Sequence, residues 1–128
     1  MDDAFELIRD LILTDMENDA SEQDNPIQEL ECLVAMSKDD MFYTYGNNDY
    51  MSDTIGERFY GDTDCMRKVA NYIYTNYSMG KDEFHDAFSY MRSFGWYLTL
   101  ANWDNVYPEI IAGLETMIEE WSETEKAE

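Results

Sequence analysis

Apolar residues recur at spacings of three and four through the start of the chain, with Phe5, Ile8, Leu11, Ile12 and Met16 falling on one side of a helix. Asp2 and Asp3 stand at its beginning, where the helix dipole favours negative charge. The spacing predicts a first helix over residues 2–16. Residues 17–25 (ENDASEQDN) hold four carboxylates, no base and no large apolar side chain, and read as a solvated acidic loop. Asn25-Pro26-Ile27-Gln28 then supplies an N-cap side chain, a proline at the first helical position and a Gln three residues after the cap. A second helix from Pro26 to about Met36 would bury Ile27, Leu30, Leu33 and Val34.

Ser37-Lys38-Asp39-Asp40 looks like another cap with an acidic first turn, and Gly46-Asn47-Asn48 like a stop, which predicts a short helix over residues 38–45. Residues 47–61 have two glycines, mixed polarity and no sustained period, and irregular structure or one short helix is as defensible there as a strand. Asp62-Thr63-Asp64 can cap a helix that places Cys65, Val69, Ile73 and Tyr77 along one side until Met79-Gly80 closes it. Phe84, Phe88, Met91, Phe94 and Leu98 form a stripe over residues 81–101, with Gly95 inside it as a point of close approach for a neighbour. A last helix starting near Tyr107-Pro108 stacks Ile110, Ile111, Leu114, Met117, Ile118 and Trp121, with Glu109, Glu115, Glu119 and Glu120 elsewhere, and residues 122–128 should fray. Together these segments predict one all-α domain over residues 1–128, a bundle of five or six helices, without repeats or hairpin signals.

The composition changes this picture in one respect. The 128 residues carry 29 Asp and Glu against 8 Lys and Arg and a single His, a formal charge of −21, yet 45% of the chain is hydrophobic and 15% aromatic. An acidic disordered tail lacks that apolar surface, so the chain should fold. The charge argues against direct binding of nucleic acid or an anionic membrane, each of which needs a basic footprint. No apolar run reaches the ~18 residues of a membrane span and Met1-Asp2-Asp3 is the reverse of a cationic signal peptide, which points to the cytoplasm. Cys32 and Cys65 read as two buried free thiols.

Sites of chemistry are sparse. A calcium loop beginning at Asp15 would place Ala20 where a glycine is needed and Pro26 where a bidentate Glu belongs. Zinc would need Cys32, Cys65 and His85 without any ligand spacing, and one histidine cannot furnish a di-iron carboxylate bundle. His85 has Asp82 and Asp86 nearby but reads as a surface residue, and no nucleotide-binding or nucleophile motif occurs. The expectation is a non-enzymatic protein without cofactor or metal. Tyr72, Tyr74 and Tyr77 read as half-buried helix packing.

Charge is concentrated in the first half: residues 1–64 hold 18 acids and 3 bases (net −15), residues 65–128 only 11 acids and 5 bases (net −6). A 128-residue domain is roughly 36 Å across, so its −21 amounts to about one charge per ~1.7 Å, the linear density of duplex DNA. Carboxylates three or four residues apart on a helix lie about 5–6 Å from each other. In size, acidity, helical content and aromatic richness the whole chain resembles the phage-encoded DNA-mimic inhibitors, the Ocr-type anti-restriction proteins and some acidic anti-CRISPR proteins; the likeness lies in composition, not in a motif. The resemblance implies inhibition without catalysis, in a bacterial host cytoplasm, by occupying the site of a basic nucleic-acid-binding protein such as a CRISPR effector, restriction enzyme or nuclease. The acids expected to carry binding are Asp2, Asp3, Glu6, Asp10, Asp15, Glu17, Asp19, Glu22 and Asp24, with Tyr43, Tyr45 and Tyr50 as anchors and a homodimer compatible with the sequence. Competing readings are an immunity or antitoxin-like protein that plugs a basic nuclease toxin, a halophilic acidic coat, and an acidic adaptor.

Overall fold

Ala4, Ile8, Ile12, Met16 and Ala20 repeat every four residues and are each at most 2% exposed, which carries α1 (Asp2–Ser21) more than a turn past its predicted end. Ala20 is small, so a count of large apolar residues misses it. The acidic loop correspondingly contracts to residues 22–25. The structure, a computed structural model, describes the backbone of residues 2–77 and 80–127 and the side chains of residues 3–77 and 80–124. Seven α-helices and one π-helical turn form the fold of these residues, with no strand among them; the all-α class holds and the predicted five or six helices become seven.

Helix α2 (Pro26–Val34) starts as predicted: Pro26 opens it and the Asn25 side chain accepts from the Gln28 N–H at 3.2 Å. Leu30 and Leu33 are buried, while Ile27 and Val34 are half-buried. Cys32 is exposed and only Cys65 is buried, which corrects the expectation of two buried thiols; Cys32 lies off the Leu30 and Leu33 face. Ser37 caps α3 (Lys38–Met41) through the Asp40 N–H, but the chain then widens into a π-helical turn over Phe42–Gly46. That turn sets the Phe42 ring edge-on to Trp96 and Trp103, at 5.8 and 5.3 Å between centroids, and brings Gly46 against Phe42 where a Cβ would have little room.

The segment 47–61, where the sequence leaves irregular structure, one short helix and a strand equally open, is mostly helix α4 (Asp49–Phe59), capped by the Asn48 side chain on the Met51 N–H at 2.9 Å, which rules out the strand. Its buried residues are Met51, Ser52, Ile55, Gly56 and Phe59. Ser52 and Gly56 contribute no hydrophobic signal, so the helical period is invisible to a count of apolar residues. They lie in the face because another backbone crosses there. A Cβ on Gly56 would overlap the Met91 carbonyl, and one on Gly95 would overlap the Ser52 carbonyl oxygen and come within 2.7 Å of the Gly56 nitrogen. Gly95 is thus the predicted point of close approach, and Ser52 and Gly56 are what approach it.

Helix α5 (Thr63–Asn76) is capped by Asp62, whose carboxylate accepts from the Cys65 N–H at 3.1 Å, and buries Cys65, Val69 and Ile73 as predicted. Tyr77, in extended conformation, is its C-cap; the proposed stop at Met79 lies outside the described residues. Gly80, at φ +50°, turns the chain into α6 (Lys81–Ser89).

The predicted helices over 81–101 and from 107 onward are divided differently. The break falls at Tyr90, which is extended, and α7 (Met91–Ala127) then runs 37 residues through Pro108. Met91, counted in the apolar stripe, is 50% exposed, because the corner at Tyr90 lets Phe84 and Phe88 stack on one side while Phe94 and Leu98 turn inward. The Tyr60 hydroxyl donates to the Phe88 carbonyl at the break. Pro108 removes one helical hydrogen bond, but it is exposed, as is Asp104 one turn before it, so the freed carbonyl faces solvent. The buried stripe Phe94, Leu98, Trp103, Val106, Ile110 and Leu114 passes it uninterrupted. α7 is helical to Ala127 through most of the segment expected to fray, and Glu128 lies outside the described residues. At about 55 Å it is the axis of the molecule. α1, α2, α4, α5, α6 and the π turn all pack on it, α4 most extensively.

Candidate functional site

The predicted acids do not share one face. At 100° per residue, Asp3, Glu6, Asp10 and Glu17 fall within about 60° of one another on the side of α1 turned away from Ile8, Ile12 and Met16. All four are exposed. Asp15 and Asp19, one turn apart, point instead toward the π turn: the Tyr45 hydroxyl donates to Asp19 Oδ2 at 3.3 Å. Burial, with Asp19 adding its charge, holds the Asp15 carboxyl above the usual range. Glu22 and Asp24 are exposed in the turn that follows, Asp24 on the rim of a shallow depression with Glu29 and Cys32. The Asp2 side chain lies outside the described residues.

Cations scarcely neutralise this surface. Of the eight predicted acids whose side chains are described, Asp10 alone is ion-paired among the described residues, to the adjacent Arg9 at 3.1 Å. The other pairs lie away from α1. Arg92 bonds Asp53 at 2.7 Å and reaches Asp49, Lys38 bonds Asp104 at 2.7 Å, and Arg67 lies 3.8 Å from Asp64. Such exposed pairs contribute little, so their main effect is to leave the α1 charges uncompensated.

The predicted anchors separate in the same way. Tyr43 and Tyr50 are 67% and 60% exposed. Tyr45 is half-buried and tied to α1; burial first, then the Asp19 charge, pushes its pKa up to about 12. Its hydroxyl is engaged within the molecule, whereas those of Tyr43 and Tyr50 make no such bond among the described residues. Tyr72 and Tyr77 are half-buried as expected, but Tyr74, read with them, is 72% exposed.

Two acidic groups escape a reading of the sequence. Asp49, Asp53 and Glu57 recur every four residues on the outer side of α4, a period hidden with the helix itself. Glu31 of α2 meets Glu115 and Glu119 of α7 around a groove of about 400 Å³ floored by Val34 and Ile118. The four-residue interval between Glu115 and Glu119 is legible in the sequence, whereas their approach to Glu31 depends on tertiary packing. His85 is exposed and sits beside Ser89 and the Tyr90 ring. Among the described residues no three His, Cys, Asp or Glu side chains converge to hold a metal ion, and no helix is long and apolar enough to cross a membrane.

No protein-family model, no curated protein and no solved structure matches this chain.

Proposed function

We propose that the chain is a non-enzymatic inhibitor that mimics DNA and occupies the basic nucleic-acid-binding site of a bacterial defence complex, as an anti-CRISPR or anti-restriction protein. The observation that carries this reading is the row Asp3, Glu6, Asp10 and Glu17 on the outer side of α1, exposed and nearly free of cations. Over fourteen residues the row rises about 21 Å, one charge per ~7 Å, against 3.4 Å for one DNA strand. α1 alone is therefore about half as dense as a strand. Glu22 and Asp24 follow it in the chain, and Glu57 of α4 stands across a shallow groove lined also by Leu7, Thr54 and Arg58, while Asp49 and Asp53 are held by Arg92. A partner cleft lined with Lys and Arg would be drawn in by long-range attraction and would read charge without base sequence.

The test uses the intact chain and its Asp3→Lys, Glu6→Lys, Asp10→Lys, Glu17→Lys quadruple variant as baits for a bacterial lysate at low and high salt. A nuclease or CRISPR effector captured at low salt by the wild type, displaced by duplex DNA and captured far less by the variant, is the expected result. Equal capture by a folded variant overturns the reading. Capture of a single toxin that duplex DNA cannot displace overturns it in favour of an immunity protein.

A further inference from the structure

Aromatic side chains of the π turn, α7 and the C-terminal end of α5 form a continuous run. Tyr72 meets Tyr77 at 6.3 Å between ring centroids, Tyr77 meets Tyr97 at 6.3 Å, and Tyr97 meets Trp96 at 4.8 Å. Trp96 meets Phe42 at 5.8 Å, and Phe42 meets Tyr43 at 5.6 Å. Each contact is edge-to-face. Burial first, then Tyr77, Asp104, Tyr97 and Tyr43, raises the pKa of the Tyr72 hydroxyl, so the two ends of the run border one another's surroundings. Phe42 is buried, Tyr72, Tyr77, Trp96 and Tyr97 are half-buried, and Tyr43 stands 67% exposed at the rim.

Tyrosines that complete a core have their hydroxyls tied, as Tyr45 is to Asp19, Tyr60 to the Phe88 carbonyl and Tyr107 to the Met36 carbonyl. Among the described residues the hydroxyls of Tyr43, Tyr72, Tyr77 and Tyr97 make no such bond, although they come from three elements and converge on one patch. Burial first, then Tyr77, Glu83 and Asp86, raises the Tyr97 pKa, and Asp104 adds to the same shift at Tyr72, so carboxylates border the patch. Lys38 compensates Asp104, while Glu83 and Asp86 have no ion pair among the described residues.

Half-open rings with free phenol oxygens, bordered by carboxylates, suit a planar cation. A guanidinium stacks on an aromatic face while its five N–H groups reach oxygens around it, whereas an ammonium is a compact, strongly hydrated point charge. We propose that the Tyr43, Tyr72, Tyr77 and Tyr97 patch receives an arginine side chain of a basic protein partner. The proposal rests on the basic-partner reading above and adds a preference that charge alone does not give, since an acidic face attracts arginine and lysine alike.

The test is calorimetric titration of the full chain with nona-arginine and with nona-lysine at about 0.15 M salt. Wild type should bind nona-arginine about fivefold more tightly than nona-lysine. Tyr97→Leu and the rim variant Tyr43→Leu, which replaces an exposed ring and leaves the core intact, should each lose much of that preference with nona-lysine affinity unchanged. Tyr97→Phe, which keeps the ring and removes one oxygen, should lose a smaller part of it than Tyr97→Leu. The quadruple α1 variant should weaken both peptides by a similar factor. Equal binding of the two peptides to wild type, or a preference untouched by both leucine variants, overturns the arginine receptor and leaves the acidic face standing. Failure of both peptides to bind overturns the two together.

Discussion

The outer side of α1 and the crossing of α4 with α7 distribute importance among their residues in opposite ways. On α1 the carboxylates are exposed, repeat along a helix and hardly touch other side chains, so each one matters little and their sum matters much. At the crossing two backbones meet at Ser52, Gly56, Met91 and Gly95, and there is no space for one added methyl group. The first surface is a field, the second a seam. A field tolerates single changes and fails by accumulation, whereas a seam fails at once.

The largest effect should come from the seam. Gly95→Ala or Gly56→Ala forces α4 off α7, because the new Cβ meets backbone and not the end of a flexible side chain. The expected loss is about 3 kcal/mol or more, a large part of the stability of a small domain. Urea denaturation measures it. A midpoint close to that of wild type would mean that the crossing has slack and that α4 can shift on α7 at little cost.

Next comes the field. The quadruple α1 variant should keep its fold, and relieving self-repulsion should leave its urea midpoint unchanged or raised. Its affinity for a basic partner should fall by about 10-fold to 1,000-fold, as four exposed pairs of ~0.2–1 kcal/mol each are lost and repulsion replaces them. Any single reversal should cost about fivefold or less. One reversal that abolished binding would show that the partner reads a specific contact and not a field.

The two regions also differ in how far the sequence reveals them. The caps at Asn25, Ser37 and Asp62 and the acidic, cation-poor first half are legible, because a capping residue acts on its own neighbours and charge needs no partner to be counted. The seam is half legible: Gly95 stands out in an apolar stripe, but Ser52 and Gly56 conceal α4 by lacking the side chains that mark a helical face. Small residues also hide the last turn of α1 at Ala20. Pro108 misleads in the other direction, since a proline reads as a helix start until tertiary packing on both sides carries α7 through it. Helical register already sets Asp15 and Asp19 on the Ile8 and Ile12 side of α1, but the contact of Asp19 with Tyr45 depends on the π turn and has no local signal.

A smaller effect lies where field and packing meet. The Asp15 carboxyl is held above its usual range by burial first and by Asp19 second. A carboxyl whose folded pKa exceeds its unfolded value opposes folding once it ionises. The penalty is absent below the unfolded value of about 4, grows as pH rises through the window up to the folded value, and is constant above it. Asp15→Asn should therefore stabilise the protein at neutral pH by less than about 1 kcal/mol, the group being largely screened by solvent, and change nothing below about pH 4. Thermal melts across that range would show it. A gain that persisted undiminished at low pH would place its origin outside the ionisation of Asp15.

The smallest change separates field from packing most cleanly, because it moves affinity and stability in opposite directions. The α1 row has one gap: between Asp10 and Glu17 the outer side presents Thr14, which is exposed and lies four residues after Asp10 and three before Glu17. Thr14→Glu closes the gap and brings the spacing nearer to that of a nucleic-acid strand. Like charges at these intervals cost the helix about 0.2–0.5 kcal/mol each, so the urea midpoint should fall slightly. One further exposed pair should meanwhile tighten a basic partner by about 1.4-fold to fivefold. Thr14→Gln, similar in size and uncharged, separates charge from shape and should leave affinity at the wild-type level. If Thr14→Glu and Thr14→Gln bind alike, the partner does not sense charge density along α1, and the row is an acidic surface without a reader.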